Sequence, residues 1–261
     1  MARRYRLSIV LPAHNEEANI ATAIERSRAV AGRLCSSYEI IIVDDGSTDS
    51  TATIVRAIAA TDRKIRLVSH EKNRGYGEAL RSGFREARMD LVFFTDADLQ
   101  FDLEELEAFL PWIDRVSVVA GYRIDRQDRW IRRMAAHGWN LIVRVLFYVP
   151  VRDIDCAFKL FRRSVFSELD LESVGAMVNT ELMVRIARGG YSVVELGVTH
   201  YPRTAGKPRG ASPKVIWTAF RELRSMRRRL AALGAGVATH DRKPPSEIEA
   251  DQEEITRTGT A

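Results

Sequence analysis

Short apolar runs separated by stretches with helical periodicity constrain the fold of this chain more than any other feature. The apolar runs predict strands at 7–12, 38–45, 65–70, 91–95 and 116–121. The stretches between them predict helices at 16–31, 49–61, 76–87 and 102–112. Repeated strand–helix units favour an α/β fold with a mostly parallel central sheet and helices on both faces. Continuous apolar runs are typical of strands buried on both sides of such a sheet.

Length and composition allow one large domain followed by a tail. The chain has 261 residues, of which 46% are hydrophobic, so a sizeable core is expected. We expect residues 1–230 to form the domain and the polar, charged residues 231–261 to be disordered. Cys35 and Cys156 form no spaced pair that would indicate a zinc site or a disulfide framework. The net charge of +5 suggests anionic ligands or an anionic surface.

The second half of the chain is less regular than the first. It predicts helices at 130–148 and 179–188, a strand at 191–198 and a basic loop rich in Gly and Pro at 203–214. Residues 215–230 predict an amphipathic helix. The apolar face of that helix comprises Ile216, Ala219, Phe220, Leu223, Met226 and Leu230.

The segment LVFFTDADLQ, residues 91–100, is the strongest indication of function. Its apolar strand ends at Thr95, and Asp96, Asp98 and Gln100 follow at alternate positions. In an extended backbone, alternate side chains point to the same side, so two carboxylates and an amide oxygen are expected to converge. Such a site suits a hard divalent cation, Mg²⁺ or Mn²⁺. In open α/β sheets the carboxyl edge of the strands is also where ligands bind.

Three further motifs lie at the predicted ends of strands or starts of helices. DDGSTDS contains plausible helix caps, but capping does not explain Asp44 and Asp45, one of which is expected to accept hydrogen bonds from a base or ribose. PAHNEE, residues 12–17, ends the first strand at a proline and is a weak indication by itself. KNRGYGEALRSG, residues 72–83, could bind a phosphate at a helix N-terminus, and a plain tight turn explains it equally well.

The motifs PAHNE, DDGSTD, NRGYGEAL and DADLQ occur in this order along the chain. Together they make the sequence resemble the family 2 glycosyltransferases, and most of all the dolichyl- and polyprenyl-phosphate hexosyl synthases. The resemblance covers roughly residues 7–230 and implies a GT-A fold, the nucleotide-sugar-binding form of an α/β sheet. The residues that it implies in binding the nucleotide sugar are Pro12, Ala13, Asn15, Glu17, Asp44, Asp45 and Asp96.

The resemblance implies metal-dependent, inverting transfer of a hexose from a donor such as GDP-mannose or UDP-glucose to a polyprenyl phosphate. Asp96, Asp98 and Gln100 would hold Mg²⁺ or Mn²⁺ on the donor diphosphate, where a cation offsets the charge of the leaving group. DIDCAFKLFRR, residues 153–163, resembles the D-x-x-x-G-F-[KR] segment of the polyprenyl-phosphate branch. Ala157 stands where that segment usually has glycine, so a close backbone approach is not expected there.

The nature of the acceptor decides whether a catalytic base is needed. A lipid phosphate is already anionic and needs cations, whereas a sugar hydroxyl needs a carboxylate to take its proton. The resemblance implies that Arg123 and Arg203 hold the acceptor phosphate, with Asp98 completing the catalytic group. Glu181, in VNTEL, lies where relatives with hydroxyl acceptors can place a base and is a secondary catalytic candidate. Further cations of the second half are Arg132, Arg133, Lys207, Arg209 and Lys214.

No segment is expected to span a membrane, because the longest apolar run, 139–151, is shorter than the ~20 residues that a spanning helix needs. The short run at 7–12 is interpreted as a strand and not as part of a signal peptide. Residues 130–148 and 215–230 combine Trp, Phe and Leu with Arg, which is typical of interfacial helices, although a core-facing helix explains 215–230 equally well. The expected location is the cytoplasmic face of a membrane, with no nucleic-acid partner.

Three alternatives remain open from the sequence. A haloacid-dehalogenase-like phosphatase also places D-x-D after a buried strand, but it would continue with Thr or Val where Gln100 stands. A family 2 glycosyltransferase could instead act on a hydroxyl of a glycolipid, glycan or protein. A binding module without activity at the membrane surface would have no need for the intact DADLQ segment.

Overall fold

The computed structural model describes residues 4–124, 138, 142–143, 145–147, 149, 151–203, 221–226 and 228. Its sheet contains the strands β1 Arg6–Ala13, β2 Ser37–Asp44, β3 Ile65–Ser69, β4 Leu91–Thr95, β5 Val118–Ile124, β6 Phe158–Arg162 and β7 Val193–Thr199. The α-helices that accompany the sheet are α1 Ile20–Leu34, α2 Thr51–Thr61, α3 Tyr76–Glu86, α4 Leu106–Ile113 and α5 Met177–Arg188. Short 3₁₀ helices occupy Leu103–Glu105 and Arg163–Ser167.

The strand order of the sheet is β3-β2-β1-β4-β6-β5-β7. β1 is parallel to β2 and β4, β2 is parallel to β3, and β5 is parallel to β7. β6 runs antiparallel to both of its neighbours, β4 and β5. The predicted α/β fold with a mostly parallel sheet is therefore confirmed.

The helices cover the sheet on both faces. The chain passes from β1 through α1 to β2 and from β2 through α2 to β3, moving in one direction, and α1 contacts α2. It then returns through α3 to β4, moving in the opposite direction, and α3 contacts α5. Because such crossovers are right-handed, a reversal of direction places α3 on the face opposite to α1 and α2. The central strands are consequently buried along almost their whole length.

The sequence did not predict strand β6. Its residues, FKLFR, mix aromatic and basic side chains, which is not the continuous apolar pattern of the other central strands. Lys159 is nevertheless 0% exposed, because its ammonium group donates hydrogen bonds to the carbonyl oxygens of Ile154 (3.0 Å) and Cys156. A basic residue of the polyprenyl-phosphate-like segment is thus part of the core.

Helix α1 begins at Ile20, four residues later than the predicted start at 16. Asn15 has a left-handed backbone (φ 56°), and the backbone N–H of Glu16 donates to the Thr51 hydroxyl (2.9 Å). These contacts hold the residues before α1 against the start of α2, so they cannot join the helix. The predicted start of α2 at 49 is likewise two residues early, because the Asp49 carboxylate accepts the backbone N–H of Thr51.

Part of the predicted C-terminal helix is described, and residues 221–226 are helical. Leu223 and Met226 are buried while Arg221 and Arg224 are exposed, as the amphipathic pattern predicts. The greater part of 130–148 and the loop after Arg203 lie outside the described residues, and so does the tail. The same holds for Arg132, Arg133, Lys207, Arg209 and Lys214. Within the part of the chain that the structure describes, no helix has the length and apolar character needed to cross a bilayer.

Candidate active site

The motifs predicted to carry function meet at the carboxyl edge of the parallel strands. In the sheet register Ala13 lies opposite Asp44, and Val10 lies opposite Phe94. Continuing that register places Asp96 level with the end of β1. PAHNEE, DDGSTDS and DADLQ therefore approach one another because three neighbouring parallel strands end at the same edge, where open α/β sheets bind ligands.

Asp96 and Asp98 form the centre of this edge, but not by the predicted extended backbone. The chain leaves β4 after Thr95, and Leu99 has a left-handed backbone (φ 62°) that makes a turn. Burial and the nearby charge of Asp98 together raise the pKa of Asp96 to about 7. Burial also raises the pKa of Asp98. Two carboxylates are thus held close enough to repel each other in partly desolvated positions, an arrangement that a divalent cation would stabilise.

Gln100 does not point its amide N–H groups at the two aspartates. Its side-chain nitrogen donates to the carbonyl oxygen of Tyr201 (3.0 Å), and its backbone N–H donates to Asp98 (3.2 Å). Among the described residues, no three His, Cys, Asp or Glu side chains cluster so that they could hold a metal by themselves. A cation at Asp96 and Asp98 would therefore need oxygens from the ligand and from water, which is usual for Mg²⁺.

Arg203 faces the same pair from the segment after β7. Its guanidinium donates to Asp98 (3.4 Å) and forms an ion pair with Glu16, which follows β1. The resemblance placed Arg203 near the acceptor phosphate, and the structure brings it within contact of a predicted metal ligand. A guanidinium in this position can bind either the carboxylate of an aspartate or a phosphate.

Asn15 and Glu17 connect two loops of the site through their side chains. The Asn15 carbonyl oxygen accepts the backbone N–H of Thr48 (2.8 Å), and Glu17 accepts that of Ser50 (3.0 Å). The backbone N–H of Asn15 donates in return to the Ser47 hydroxyl (2.9 Å). Their hydrogen bonds shape the walls of the predicted nucleotide pocket. Pro12 and Ala13, at the end of β1, are buried.

Asp44 and Asp45 are both buried but have different partners. Asp45 accepts the backbone N–H groups of Arg74 and Gly75 (both 2.8 Å) and contacts the His70 ring (2.7 Å). Asp44 accepts only the backbone N–H of Ser47 (3.2 Å) among the described residues. Both oxygens of Asp45 are therefore engaged within the protein, which leaves Asp44 as the better candidate to contact a nucleotide.

The turn NRGYG, residues 73–77, is not arranged as a phosphate cradle. The backbone N–H groups of Arg74 and Gly75 donate to Asp45, and that of Gly77 donates to the Val174 carbonyl (2.7 Å). Three donors that a phosphate would need are thus already used. The turn instead directs the Tyr76 hydroxyl to Asp96 (2.8 Å).

Arg123 is held by a carboxylate of the DIDCAFK segment. Its guanidinium makes two hydrogen bonds of 2.7 Å with Asp153, and the side chains are 12% and 8% exposed. Burial opposes the charge of Arg123, but the hydrogen bonds and charge of Asp153 outweigh it and raise its pKa. In this conformation Arg123 is paired with Asp153, and an acceptor phosphate would have to share it.

Glu181 is fully buried on α5 and is engaged on both oxygens. One oxygen accepts the backbone N–H groups of Glu172 (3.0 Å) and Ser173 (2.7 Å), and the other accepts from Arg185 (2.9 Å). Burial favours its neutral form, but these hydrogen bonds outweigh burial and lower its pKa. A carboxylate with a lowered pKa and 0% exposure is poorly suited to remove a proton from a sugar hydroxyl.

Sequence reasoning missed four residues that shape this edge: Glu16, Tyr76, Asp153 and Lys159. Each lies inside a motif that the sequence analysis named, so its place in the site could have been predicted. Its contacts could not, because they join distant parts of the chain: Glu16 and Arg203, for example, are 187 residues apart.

The sequence pattern of the family described as glycosyl transferase family 2 matches residues 8–170, more than half of the chain. The chain belongs to glycosyl transferase family 2. The family match spans all four motifs, most of β1 and the strands β2 to β6. It confirms the resemblance, and it makes the chain a glycosyltransferase.

Curated relatives and solved structures agree with that assignment. The chain is 31% identical over 241 residues to the undecaprenyl-phosphate 4-deoxy-4-formamido-L-arabinose transferase of Pseudomonas aeruginosa strain UCBPP-PA14, covering 89% of this chain and 69% of the relative. It is 32% identical over 209 residues to the enzyme of the same name from Aeromonas hydrophila, covering 77% and 61%.

The solved structures show the same fold at lower sequence identity. Mannosyl-3-phosphoglycerate synthase from Rubrobacter xylanophilus aligns with a TM-score of 0.67 at 19% identity, covering 94% of this chain and 80% of that one. Glucosyl-3-phosphoglycerate synthase from Mycobacterium tuberculosis, crystallised with Mn²⁺, UDP and phosphoglyceric acid, aligns with a TM-score of 0.60 at 24% identity, covering 90% and 80%. These similarities confirm the GT-A fold.

Proposed function

We propose that this glycosyltransferase moves a sugar from a nucleoside diphosphate donor to a polyprenyl phosphate at a membrane surface, with a divalent cation on the donor diphosphate. The observation that carries the proposal is the pair of carboxylates at the carboxyl edge of the sheet, half-buried Asp96 and buried Asp98, with Arg203 beside Asp98. The relatives whose names include undecaprenyl phosphate support this acceptor class.

The residues at the edge fit a divalent cation. Burial and the nearby charge of Asp98 both raise the pKa of Asp96, and a positive ion would offset both effects. Asp96 and Asp98 would hold Mg²⁺ or Mn²⁺, and Gln100, whose amide nitrogen donates to Tyr201, would offer its amide oxygen. The ion would supply Lewis-acid stabilisation of the leaving diphosphate. A glycosyl-3-phosphoglycerate synthase of similar fold was crystallised with Mn²⁺ and UDP, which supports the assignment.

The basic residues suit an anionic acceptor. Arg203 donates to Asp98 (3.4 Å), and its ion pair with Glu16 holds it beside the two aspartates. A phosphate acceptor carries its own negative charge and needs a bidentate cation more than a base. Arg123 could also bind the acceptor phosphate if its guanidinium bound Asp153 and the phosphate at the same time. Asp44 would contact the nucleotide. A lipid acceptor implies peripheral contact with the membrane, which remains a proposal, as does its cytoplasmic face.

The test is transfer of radiolabel from a panel of donors to undecaprenyl phosphate, with Mg²⁺ or Mn²⁺ and extraction into organic solvent. The panel contains GDP-mannose, UDP-glucose and UDP-4-deoxy-4-formamido-L-arabinose, so it decides between a hexose and the sugar named for the relatives. We expect label in the lipid phase with one donor. Absence of transfer from every donor, with nucleotide binding also absent by calorimetry, would reject the proposal.

Asp98→Ala is expected to abolish transfer without unfolding the protein, since it removes one of the two carboxylates that would hold the cation and Asp98 is not among the residues of the hydrophobic core. The matched control is Asp102→Ala, which removes an aspartate four residues away that caps a 3₁₀ helix. It is expected to keep nearly normal turnover. Circular dichroism checks the fold of both variants, and activity retained by Asp98→Ala would refute the metal assignment.

A hydroxyl acceptor is the second candidate, and Glu181 separates it from the first. A general base contributes about 10²–10⁴-fold to rate, so Glu181→Gln should lose that factor if a hydroxyl is the acceptor. Because Glu181 is buried and engaged by Ser173 and Arg185, we expect instead that turnover falls only with the folded fraction. The measurement is kcat per folded molecule, with folded fraction read from urea titration. A loss of turnover in a fully folded variant would favour the hydroxyl acceptor.

A further inference from the structure

The Tyr76 side chain lies between helix α3 and the metal-facing edge. It occupies the first position of α3, and its hydroxyl donates a hydrogen bond of 2.8 Å to Oδ1 of Asp96. A tyrosine hydroxyl is neutral at physiological pH, so it can donate this hydrogen bond without carrying a charge.

The backbone around Tyr76 is fixed from two sides. On one side Asp45 accepts the N–H groups of Arg74 and Gly75, the two residues that precede it. On the other side the N–H of Gly77 donates to the carbonyl of Val174. A side chain on Gly77 would place its Cβ 2.1 Å from the Ser173 carbonyl oxygen, so the two segments touch. The hydroxyl of Tyr76 therefore has little freedom to leave Asp96.

We propose that Tyr76 is a positioning residue that orients the Asp96 carboxylate toward the bound cation. This inference rests on the proposed function, because it assumes a cation at Asp96 and Asp98. A hydrogen bond to one oxygen fixes the plane of the carboxylate and leaves the second oxygen to face the ion. A neutral hydroxyl does this without adding a charge that would repel the cation, as a lysine or arginine in the same place would.

A purely structural role for Tyr76 would show in stability and not in metal affinity. Tyr76→Phe keeps the ring and removes only the hydroxyl, so packing is preserved. The matched control is Tyr5→Phe. Tyr5 directly precedes β1, at the amino end of the parallel strands and away from the site, and its hydroxyl donates to another aspartate, Asp114 (2.9 Å). Both variants lose one Tyr–Asp hydrogen bond, and only one of those bonds involves the site.

The experiment measures Mn²⁺ affinity of the full chain by electron paramagnetic resonance, in the presence of saturating UDP, together with kcat and the unfolding midpoint. We expect Tyr76→Phe to weaken Mn²⁺ binding about tenfold, in the range found when outer-shell partners of metal ligands are lost. Raising the Mn²⁺ concentration should restore most of its kcat. Tyr5→Phe should bind Mn²⁺ as the wild type does.

Each outcome decides a different question. If the wild type binds no Mn²⁺, the proposed metal site fails and the inference fails with it. If the wild type binds Mn²⁺ and Tyr76→Phe binds it equally well, only the positioning role is overturned. The role is also overturned if both variants weaken Mn²⁺ binding to the same extent, because the effect would then follow from any lost Tyr–Asp bond.

Discussion

At the scale of single residues, two adjacent aspartates have separate tasks. Asp45 is committed to the protein: its oxygens bind two backbone N–H groups of the NRGYG turn and the ring of His70. Asp44 faces the Ser47 turn and has fewer partners among the described residues. A pair of carboxylates that reads as one motif in the sequence thus divides into a residue that shapes the pocket and a residue that can contact a ligand.

Asp45→Asn is expected to destabilise the fold by about 2–3 kcal/mol. The two backbone N–H groups bind different oxygens of Asp45, and the amide nitrogen that replaces one oxygen cannot accept, so one N–H loses its partner. The control is Asp62→Asn, which changes an aspartate that accepts the backbone N–H of Lys64 at an exposed turn. Its effect should stay within about 0.5 kcal/mol. Urea unfolding measures both free energies, and equal values would contradict the role of Asp45.

The sequence located the important residues better than it located their contacts. Asp96, Asp98 and Asp45 could be predicted to lie at the sheet edge, because each follows a buried strand. The bonds from Tyr76 to Asp96 and from Arg203 to Asp98 could not, since they join residues 20 and 105 positions apart. The alternation at DADLQ also failed as a guide to direction, because a turn at Leu99 replaces the extended backbone.

At the scale of elements, the start of α3 is built by contact with the loop before α5. Glu181 on α5 holds the N–H groups of Glu172 and Ser173, and the next residue, Val174, accepts the N–H of Gly77. One carboxylate on α5 therefore supports the turn that carries Tyr76. Glu181 itself is fully buried, so its contribution here is to the stability of the folded loop.

Gly77→Ala is expected to destabilise the protein by about 1–3 kcal/mol, because the new Cβ would lie 2.1 Å from the Ser173 carbonyl oxygen and force two backbones apart. Gly175→Ala, two residues beyond Ser173, is the control: its Cβ would meet nothing within 4 Å. That change should be neutral or stabilise by about 0.4–1 kcal/mol. Thermal unfolding of both variants provides the comparison, and a stable Gly77→Ala would show that the segments can separate.

Elements with a plain pattern were predicted and those with a mixed pattern were not. The strands β1, β2 and β4 follow directly from continuous apolar runs, which only a sheet covered on both faces requires. β6 was not predicted because the buried Lys159 interrupts its apolar pattern. The carbonyl oxygens that accept hydrogen bonds from Lys159 belong to the segment before the strand. A pattern of residue types cannot show that a lysine has found such partners.

At the scale of the molecule, the division into a domain and a tail remains a prediction. Removing residues 231–261 is expected to preserve transfer in detergent, because the sequence there is polar and charged and offers little apolar surface to a core. The measurement compares kcat of the shortened and full chains. A shortened chain that folds by circular dichroism and yet does not transfer would show that these residues take part in catalysis.

The antiparallel strand β6 has a consequence for how the chain is made. β4 pairs with β1 on one side and with β6 on the other, and among the described strands β5 pairs with β6 and β7. When synthesis has reached Ile124, the strands β1 to β4 can therefore pair with one another, whereas β5 still lacks both of its neighbours. Until Arg162 has left the ribosome, the open border of Leu91–Thr95 displays unpaired backbone groups, the surface on which nascent chains aggregate.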